Sequence, residues 1–211
     1  MPKQTFLNLP EEKRAKIEQA AINEFTAYSY DQASTNRIVE AAEIPKGSFY
    51  QYFAGKKDLY RHILDKILER KMEFLTPVMA NPMEMDFFQL LRETYVAGLR
   101  FATSNPELQQ ISQRLMADRN HPVFVEFIQD NMGKADDVFR QLIQLGISRG
   151  ELREDLDVAF AAHIISEMNN SVADFYKSYV KQTMDDDYLN MVDKLLDFLR
   201  RGIGSSEQVG S

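Results

Sequence analysis

The chain has 211 residues, 44% of them apolar, and a net charge of −7, enough apolar surface to bury a core in one large or two small domains; disorder throughout is excluded. It contains no cysteine, which excludes a disulfide framework, a thiolate nucleophile and a Cys-based zinc site. With no run of about 18 apolar residues and no charged-then-apolar start, a soluble, cytoplasmic protein without a membrane partner is expected.

Apolar residues recur at helical spacing nearly everywhere and nowhere alternate with period two, so the expected fold class is all-α. The first helix is expected from about Glu11 to Tyr28, with Pro10 near its start, Glu11 and Glu12 in its first turn, and an apolar stripe through Ile17, Ala21, Phe25 and Tyr28. Short helices are expected from Thr35 to Ala42 and between Pro45 and Phe53, and a fourth from Lys56. Breaks at Asn81-Pro82, Ser104-Asn105-Pro106, Asn120-His121-Pro122 and Ser148-Arg149-Gly150 divide the remainder of the chain. Helices are expected over 84–103, 107–118, 122–148, 157–182 and 186–202, as in a helical bundle. The Gly/Ser-rich tail from Gly204 to Ser211 reads as disordered. The expected domains are a three-helix unit over 1–55, a bundle over 56–203 and a tail over 204–211.

The acidity is unevenly placed. Residues 1–75 hold 12 Lys+Arg against 11 Asp+Glu, whereas the rest hold 13 against 21. Residues 44–57 contain Lys46, Lys56 and Lys57 and no acidic residue, so a phosphate-facing surface is expected there.

The stretch from Ser34 to Tyr60 has the layout of a helix-turn-helix, in which one helix braces a second that enters the major groove. Phe49 and Phe53 share a face and are expected to pack against Ile38, Val39 and Phe25, leaving Gly47, Ser48 and Gln51 outward and Tyr50 and Tyr52 on the flanks. A helix so short needs those phenylalanines as anchors. Gly47 permits close backbone approach, Ser48 and Gln51 suit base edges, and Lys46 and the tyrosine hydroxyls suit phosphates. Lys56 and Lys57 at a helix start oppose the macrodipole, a cost that a phosphate held by Lys56 and the free N–H groups would offset. Thr35, at another helix start, can both cap it and meet the DNA backbone.

The run Lys-Gly-Ser-Phe-Tyr-Gln-Tyr-Phe-Ala-Gly-Lys-Lys-Asp-Leu resembles the second half of the DNA-binding domain of the TetR family of bacterial repressors, and the resemblance covers about residues 11–60. It implies that Thr35, Asn36, Lys46, Gly47, Ser48, Tyr50, Gln51, Tyr52 and Lys56 touch double-stranded operator DNA. Three positions depart from the family pattern. Ser29 and Glu43 stand where glycine is common, so a strained turn is expected, and Pro45 stands where a hydroxyl residue often caps the recognition helix.

The resemblance also implies that the remaining chain senses a small molecule and forms a homodimer. A broad stripe through Ala161, Ile164, Ile165, Met168, Val172, Phe175, Tyr176 and Tyr179 reads as a core helix. On the last helix Tyr188, Leu189, Val192, Leu196 and Leu199 face one way and Met191 and Phe198 another, so the dimer interface is expected on the last two helices, with Met191, Leu195 and Phe198 in it. Phe101, Met116, Phe127, Phe139, Met168 and Asn169 are the candidate lining of a pocket for a hydrophobic or aromatic effector.

Other functions find less support. His62, His121 and His163 lack ligand spacing, so neither a metal nor a cofactor is expected. The Asp185-Asp186-Asp187 run reads as a cap for the last helix. An architectural or partner-controlled DNA-binding protein without a ligand is the alternative; an enzyme on a helical bundle lacks a thiol, a His-carboxylate cluster and a phosphate loop. In the leading reading a dimer presents two recognition helices about 34–36 Å apart, and a ligand among the bundle helices shifts the helix starting at Lys56 and spoils that spacing.

Overall fold

The computed structural model describes residues 1–80, 82–181 and 185–205, without the side chains of 83, 132–138, 169, 170, 174 and 186. Along these the chain forms α1 (Gln4–Leu7), α2 (Glu11–Ala27), α3 (Thr35–Ala41), α4 (Lys46–Tyr52), α5 (Lys56–Met79), a 3-10 turn (Pro82–Glu84), α6 (Phe87–Ser104), α7 (Pro106–Ala117), α8 (Pro122–Ser148), α9 (Val158–Tyr179) and α10 (Asp186–Ile203). The all-α expectation holds. Among the described residues the only β pairing is an isolated antiparallel bridge between Leu152 and Gly204, and no helix is long and apolar enough to cross a membrane.

Two elements were not expected. One is α1. The other is the 3-10 turn, which delays α6 to Phe87; there the Asp86 carboxylate accepts from the Gln89 N–H (2.8 Å) and the Gln89 side-chain oxygen accepts from the Asp86 N–H (3.0 Å), a reciprocal capping box. Asp157 caps α9 as a side-chain acceptor for the Phe160 N–H (3.0 Å). Asp185, by contrast, makes no side-chain cap on α10; its carboxylate accepts from the Tyr176 hydroxyl (2.5 Å) and pairs with Lys181. The expected disordered tail needs correction at its start. Gly204 and Ser205 continue from α10 into pairing with the 151–153 segment, where the Ser205 N–H donates to the Glu151 carbonyl (3.1 Å) and the Arg153 N–H to the Ile203 carbonyl (3.1 Å). The rest of that expected tail, 206–211, lies outside the described residues.

The chain divides into two units, and not at residue 55. The first comprises Met1–Lys71 with Asn105–Phe127, the second Met72–Ser104 with Ile128–Ser211. The reason is α7, which packs on α2: Ile111 and Leu115 are buried, and the Arg114 guanidinium donates to the carbonyls of Phe25 (3.2 Å) and Ala27 (3.5 Å), two of the carbonyls left over at the end of α2.

In the first unit α2 contributes Ile17, Ala21 and Phe25 to the interior and α5 contributes Leu59, Tyr60, Ile63, Leu64 and Ile67. Two carboxylates of α2 tie the surrounding helices. Glu18 meets His62 (2.8 Å) and Lys66 (2.5 Å) of α5. Glu24, only 7% exposed, accepts from the Ser34 N–H (2.7 Å) and the Arg37 guanidinium (2.5–3.0 Å), so it pins the start of α3. In the second unit α10 packs on α6 and α9. Its core gathers Phe87, Phe88, Leu91, Tyr95, Leu99, Leu142, Ile143, Ile165, Tyr176, Tyr188, Val192, Leu196 and Leu199.

Burial works against the charge of Glu24, but the hydrogen bonds from Arg37 and Ser34 outweigh it and hold the carboxyl below its ordinary pKa of 4.5. Glu18 is likewise desolvated and likewise held low, by His62 and Lys66. Both groups bind protons less readily in the folded chain than in the unfolded one. Their stabilisation is therefore complete above pH 4.5 and is lost as pH falls through the depressed folded values. Glu24→Gln is expected to cost about 1–2 kcal/mol at neutral pH and to flatten the acid limb of a stability curve assembled from urea titrations; an acid limb as steep as the wild type's contradicts the assignment.

Candidate nucleic-acid interface

The α3–α4 turn is built by backbone chemistry. At the end of α3 the Ile44 N–H donates to the Val39 carbonyl (3.0 Å) and the Glu43 N–H to the Glu40 carbonyl (3.1 Å), the paired bonds of a Schellman motif. That motif places the residue after the cap in the left-handed region, and Glu43 has φ 53. This is where glycine ordinarily stands, so a side chain is held there at some steric cost. The Glu43 carboxylate is paired with Lys16 of α2 (2.5 Å). Ser29, also expected to be strained, has no positive φ. Pro45 opens α4 with φ −62 and no side-chain cap, and its carbonyl accepts from the Ser48 N–H (2.9 Å).

On α4 the two faces separate as expected. Phe49 and Phe53 have no exposed surface, and their rings lie 5.7 Å apart. Lys46, Gly47, Tyr50 and Gln51 are exposed and Ser48 half-exposed. On α3 Asn36 is exposed and Thr35 half-exposed, while Ile38 and Val39 are buried. The structure thus brings Lys46, Gly47, Ser48, Tyr50 and Gln51 onto the open side of one helix.

Two of the expected DNA contacts are corrected. Tyr52 is 6% exposed; its ring lies 6.1 Å from Phe6 of α1, on the packed side of α4, because α1 covers that flank. Lys56 turns inward, its ammonium donating to the carbonyls of Asp31 (3.1 Å) and Ala33 (3.0 Å) and lying 4.7 Å from the Tyr30 ring. The neighbouring Lys57 pairs with Glu126 (2.5 Å). The cost of two cations at the start of α5 is therefore offset by acceptors inside the chain, together with Asp58 in that first turn, which accepts from the Ala54 N–H (3.0 Å). Lys46 makes no hydrogen bond or ion pair among the described residues, which leaves its ammonium open to an outside anion.

Nothing before Glu11 entered the expected site, yet Lys3, which precedes α1, and Thr5 within it touch α4 at three points. The Lys3 N–H donates to the Tyr52 carbonyl (2.8 Å), the Lys3 ammonium to the Tyr50 carbonyl (2.7 Å), and the Thr5 hydroxyl to the Gln51 carbonyl. Phe6 anchors this segment, with its ring 4.7 Å from Phe53 and 5.3 Å from His62. The signal in the sequence was the apolar trio Phe6, Leu7 and Leu9 ahead of the first expected helix.

Residues 17–63, which span this site, match the family model of bacterial regulatory proteins, tetR family. The fold is that of a TetR family transcriptional regulator from Chloroflexus aurantiacus, 32% identical, with a TM-score of 0.73 over 97% of this chain and 99% of that one. The chain belongs to the TetR family of transcriptional regulators. Among curated relatives of this TetR-family protein is the probable acrEF/envCD operon repressor of Escherichia coli K12, 26% identical over 72% of this chain and 70% of its own. Another neighbour in fold, at 19% identity and a TM-score of 0.71 over 88% of this chain and 96% of that one, is the regulator FadR from Bacillus subtilis, solved in complex with stearoyl-CoA. These relatives are regulators of transcription, not enzymes, and this regulator's function is transcriptional regulation through a DNA-binding helix-turn-helix.

The residues expected to line an effector pocket are divided between the two units. Met116 and Phe127 belong to the first unit, and Phe101, Phe139 and Met168 to the second. Phe101 is buried, 5.9 Å from Phe74, and Phe139 and Met168 pack against the core of the second unit. The side chain of Asn169 lies outside the described residues. On α10 Met191 and Leu195 are half-buried and pack against the core that holds Tyr188, Val192, Leu196 and Leu199, whereas Phe198 is 67% exposed. The stripe on α9 divides: Ile165 and Tyr176 are buried, but Ile164, Phe175 and Tyr179 are exposed, as is Phe160 beside them. The reading of α9 as wholly core is corrected accordingly. Among the described residues no group of three or more His, Asp or Glu could hold a metal ion.

Proposed function

We propose that this regulator is a repressor that binds operator DNA as a homodimer through α4 and is released by a small apolar or aromatic molecule held in its second unit. The observation that carries the DNA-binding half is the two-sidedness of α4. Phe49, Tyr52 and the adjoining Phe53 are spent on the interior, and what remains outward is a lysine with an open ammonium, a glycine, a serine, a tyrosine and a glutamine. Lys46 and Tyr50 suit phosphates, whereas Ser48 and Gln51 carry both donors and acceptors for base edges. Thr35 and Asn36, at the start of α3, complete the surface. Tyr52 and Lys56 serve it from behind.

Dimerisation is supported by the apolar side chains left outward on two neighbouring helices. Phe160, Ile164, Phe175 and Tyr179 share a face of α9, separated by 4, 11 and 4 residues, and Phe198 lies on α10. Aromatic surface on this scale marks an interaction site, and a two-fold pairing of the same face satisfies both copies at once. A small-molecule effector is supported by the Phe and Met content of the second unit and by the fold it shares with a regulator solved with stearoyl-CoA. The helix α5 is continuous from Lys56 to Met79 and so belongs to both units, a covalent route by which a ligand can act on the DNA-binding half.

The test is a footprint on the DNA beside the chain's own gene, titrated with salt. Each phosphate contact contributes about 0.9 to the slope of log affinity against log salt, so Lys46→Ala is expected to weaken binding and reduce a dimer's slope by about 2. No protection by the wild type, or an unchanged slope in the variant, contradicts the reading. For the dimer, Phe198→Asp is expected to shift sedimentation from two chains to one; a wild-type monomer at micromolar concentration, or an unaltered variant dimer, contradicts it.

A further inference from the structure

A helix of seven residues leaves its last carbonyls without partners and is too short to hold itself together. In α4 those carbonyls belong to Tyr50, Gln51 and Tyr52, and the first two are residues of the outward surface. Every one of the three is taken by the same short segment. The Lys3 ammonium meets the Tyr50 carbonyl at 2.7 Å, the Thr5 hydroxyl meets the Gln51 carbonyl, and the Lys3 N–H meets the Tyr52 carbonyl at 2.8 Å. The segment is fastened to the interior by Phe6, 1% exposed, among Tyr52, Phe53 and His62.

We propose that residues Lys3–Phe6 are a clasp that sets the tilt and end of the recognition helix, and that Lys3 and Thr5 are positioning residues for operator discrimination. This rests on the assignment of α4 as the DNA-reading helix. The three bonds hold the backbone of the residues whose side chains would lie nearest the bases, while the bulk of the unit's interior, around Phe25, Leu59 and Ile63, is built without them. Base readout depends on placing donors and acceptors to within a fraction of a hydrogen-bond length, whereas phosphate attraction tolerates looser placement. Loosening the clasp should therefore erode selectivity before it erodes general affinity or folding.

The experiment uses the full chain and two probes: a duplex selected by the wild type from a random-sequence pool, and a shuffled duplex of the same composition. Thr5→Val keeps the shape and removes the hydroxyl. It is expected to lower affinity for the selected duplex about 2- to 10-fold, to leave the shuffled duplex unchanged, and to speed amide exchange over 46–53 while α2 keeps its protection. Thr5→Ser is expected to restore both readouts, and Lys3→Met to repeat the loss independently of Thr5. Wild-type discrimination in both Thr5→Val and Lys3→Met overturns the clasp, as does an equal loss on both duplexes that Thr5→Ser does not repair. A wild-type chain that selects no duplex at all is a separate result, which overturns the DNA-reading assignment and the clasp together.

Discussion

Burial of Phe49 and Phe53 is the constraint on which the first unit depends. A seven-residue helix gains too little from its own hydrogen bonds to persist in water, so its place is set by the two rings it gives up to the interior. Each fully buried ring contributes about 1.5–3 kcal/mol. Because the two lie one turn apart, the opposite side of α4 is forced outward, whatever its composition. That side is small and polar, with a cation whose charge nothing in the described chain neutralises. Around this helix the other interactions act as fixings. The Schellman turn sets the angle from α3, Glu24 holds the start of α3 to α2, and the Lys3–Phe6 segment closes the far end of α4.

The helix-turn-helix was legible because its signals are local. Proline before Lys46, aromatic residues four apart and a Lys-Gly pair at a helix start all act within one or two turns, and the helix limits inferred from them fall within a residue or two of those observed. Glu43 was legible in the same way, as a side chain where the turn demands a left-handed residue, and its φ of 53 bears this out. What could not be read depends on partners distant in the chain. Lys56 and Lys57 were expected to seek phosphate; their acceptors lie at Asp31, Ala33 and, 69 residues on, Glu126. Tyr52 was expected on an open flank within reach of DNA; the ring that covers it comes from Phe6. A helical wheel shows which residues share a side, but not which sides a second element will cover.

The division into units shows the same limit. A boundary after Gly55 follows from the extent of the helix-turn-helix motif, yet α7 returns to α2 and joins the first unit. Arg114 supplies the reason, because its guanidinium satisfies carbonyls at the end of α2 that the helix cannot satisfy itself. In the second unit, spacing set Phe198 of α10 apart from the buried Tyr188, Val192, Leu196 and Leu199, but Met191, expected on the side of Phe198, packs against the core. The same method failed on α9, where inward and outward apolar residues adjoin without a polar strip between them. An uninterrupted stripe reads as core, although part of it is exposed surface that a second copy would cover.

The absence of cysteine from the chain permits a direct test of which side of α4 meets DNA. A single thiol is introduced as Gln51→Cys, with Lys194→Cys on α10 as the exposed control, and each is alkylated with and without a duplex selected by the wild-type chain. Protection of the first thiol by the duplex, with none of the second, is the result expected if the open side of α4 lies against base edges. Alkylation of Gln51→Cys at the same rate on saturating duplex, with DNA still bound, would contradict the account at its centre.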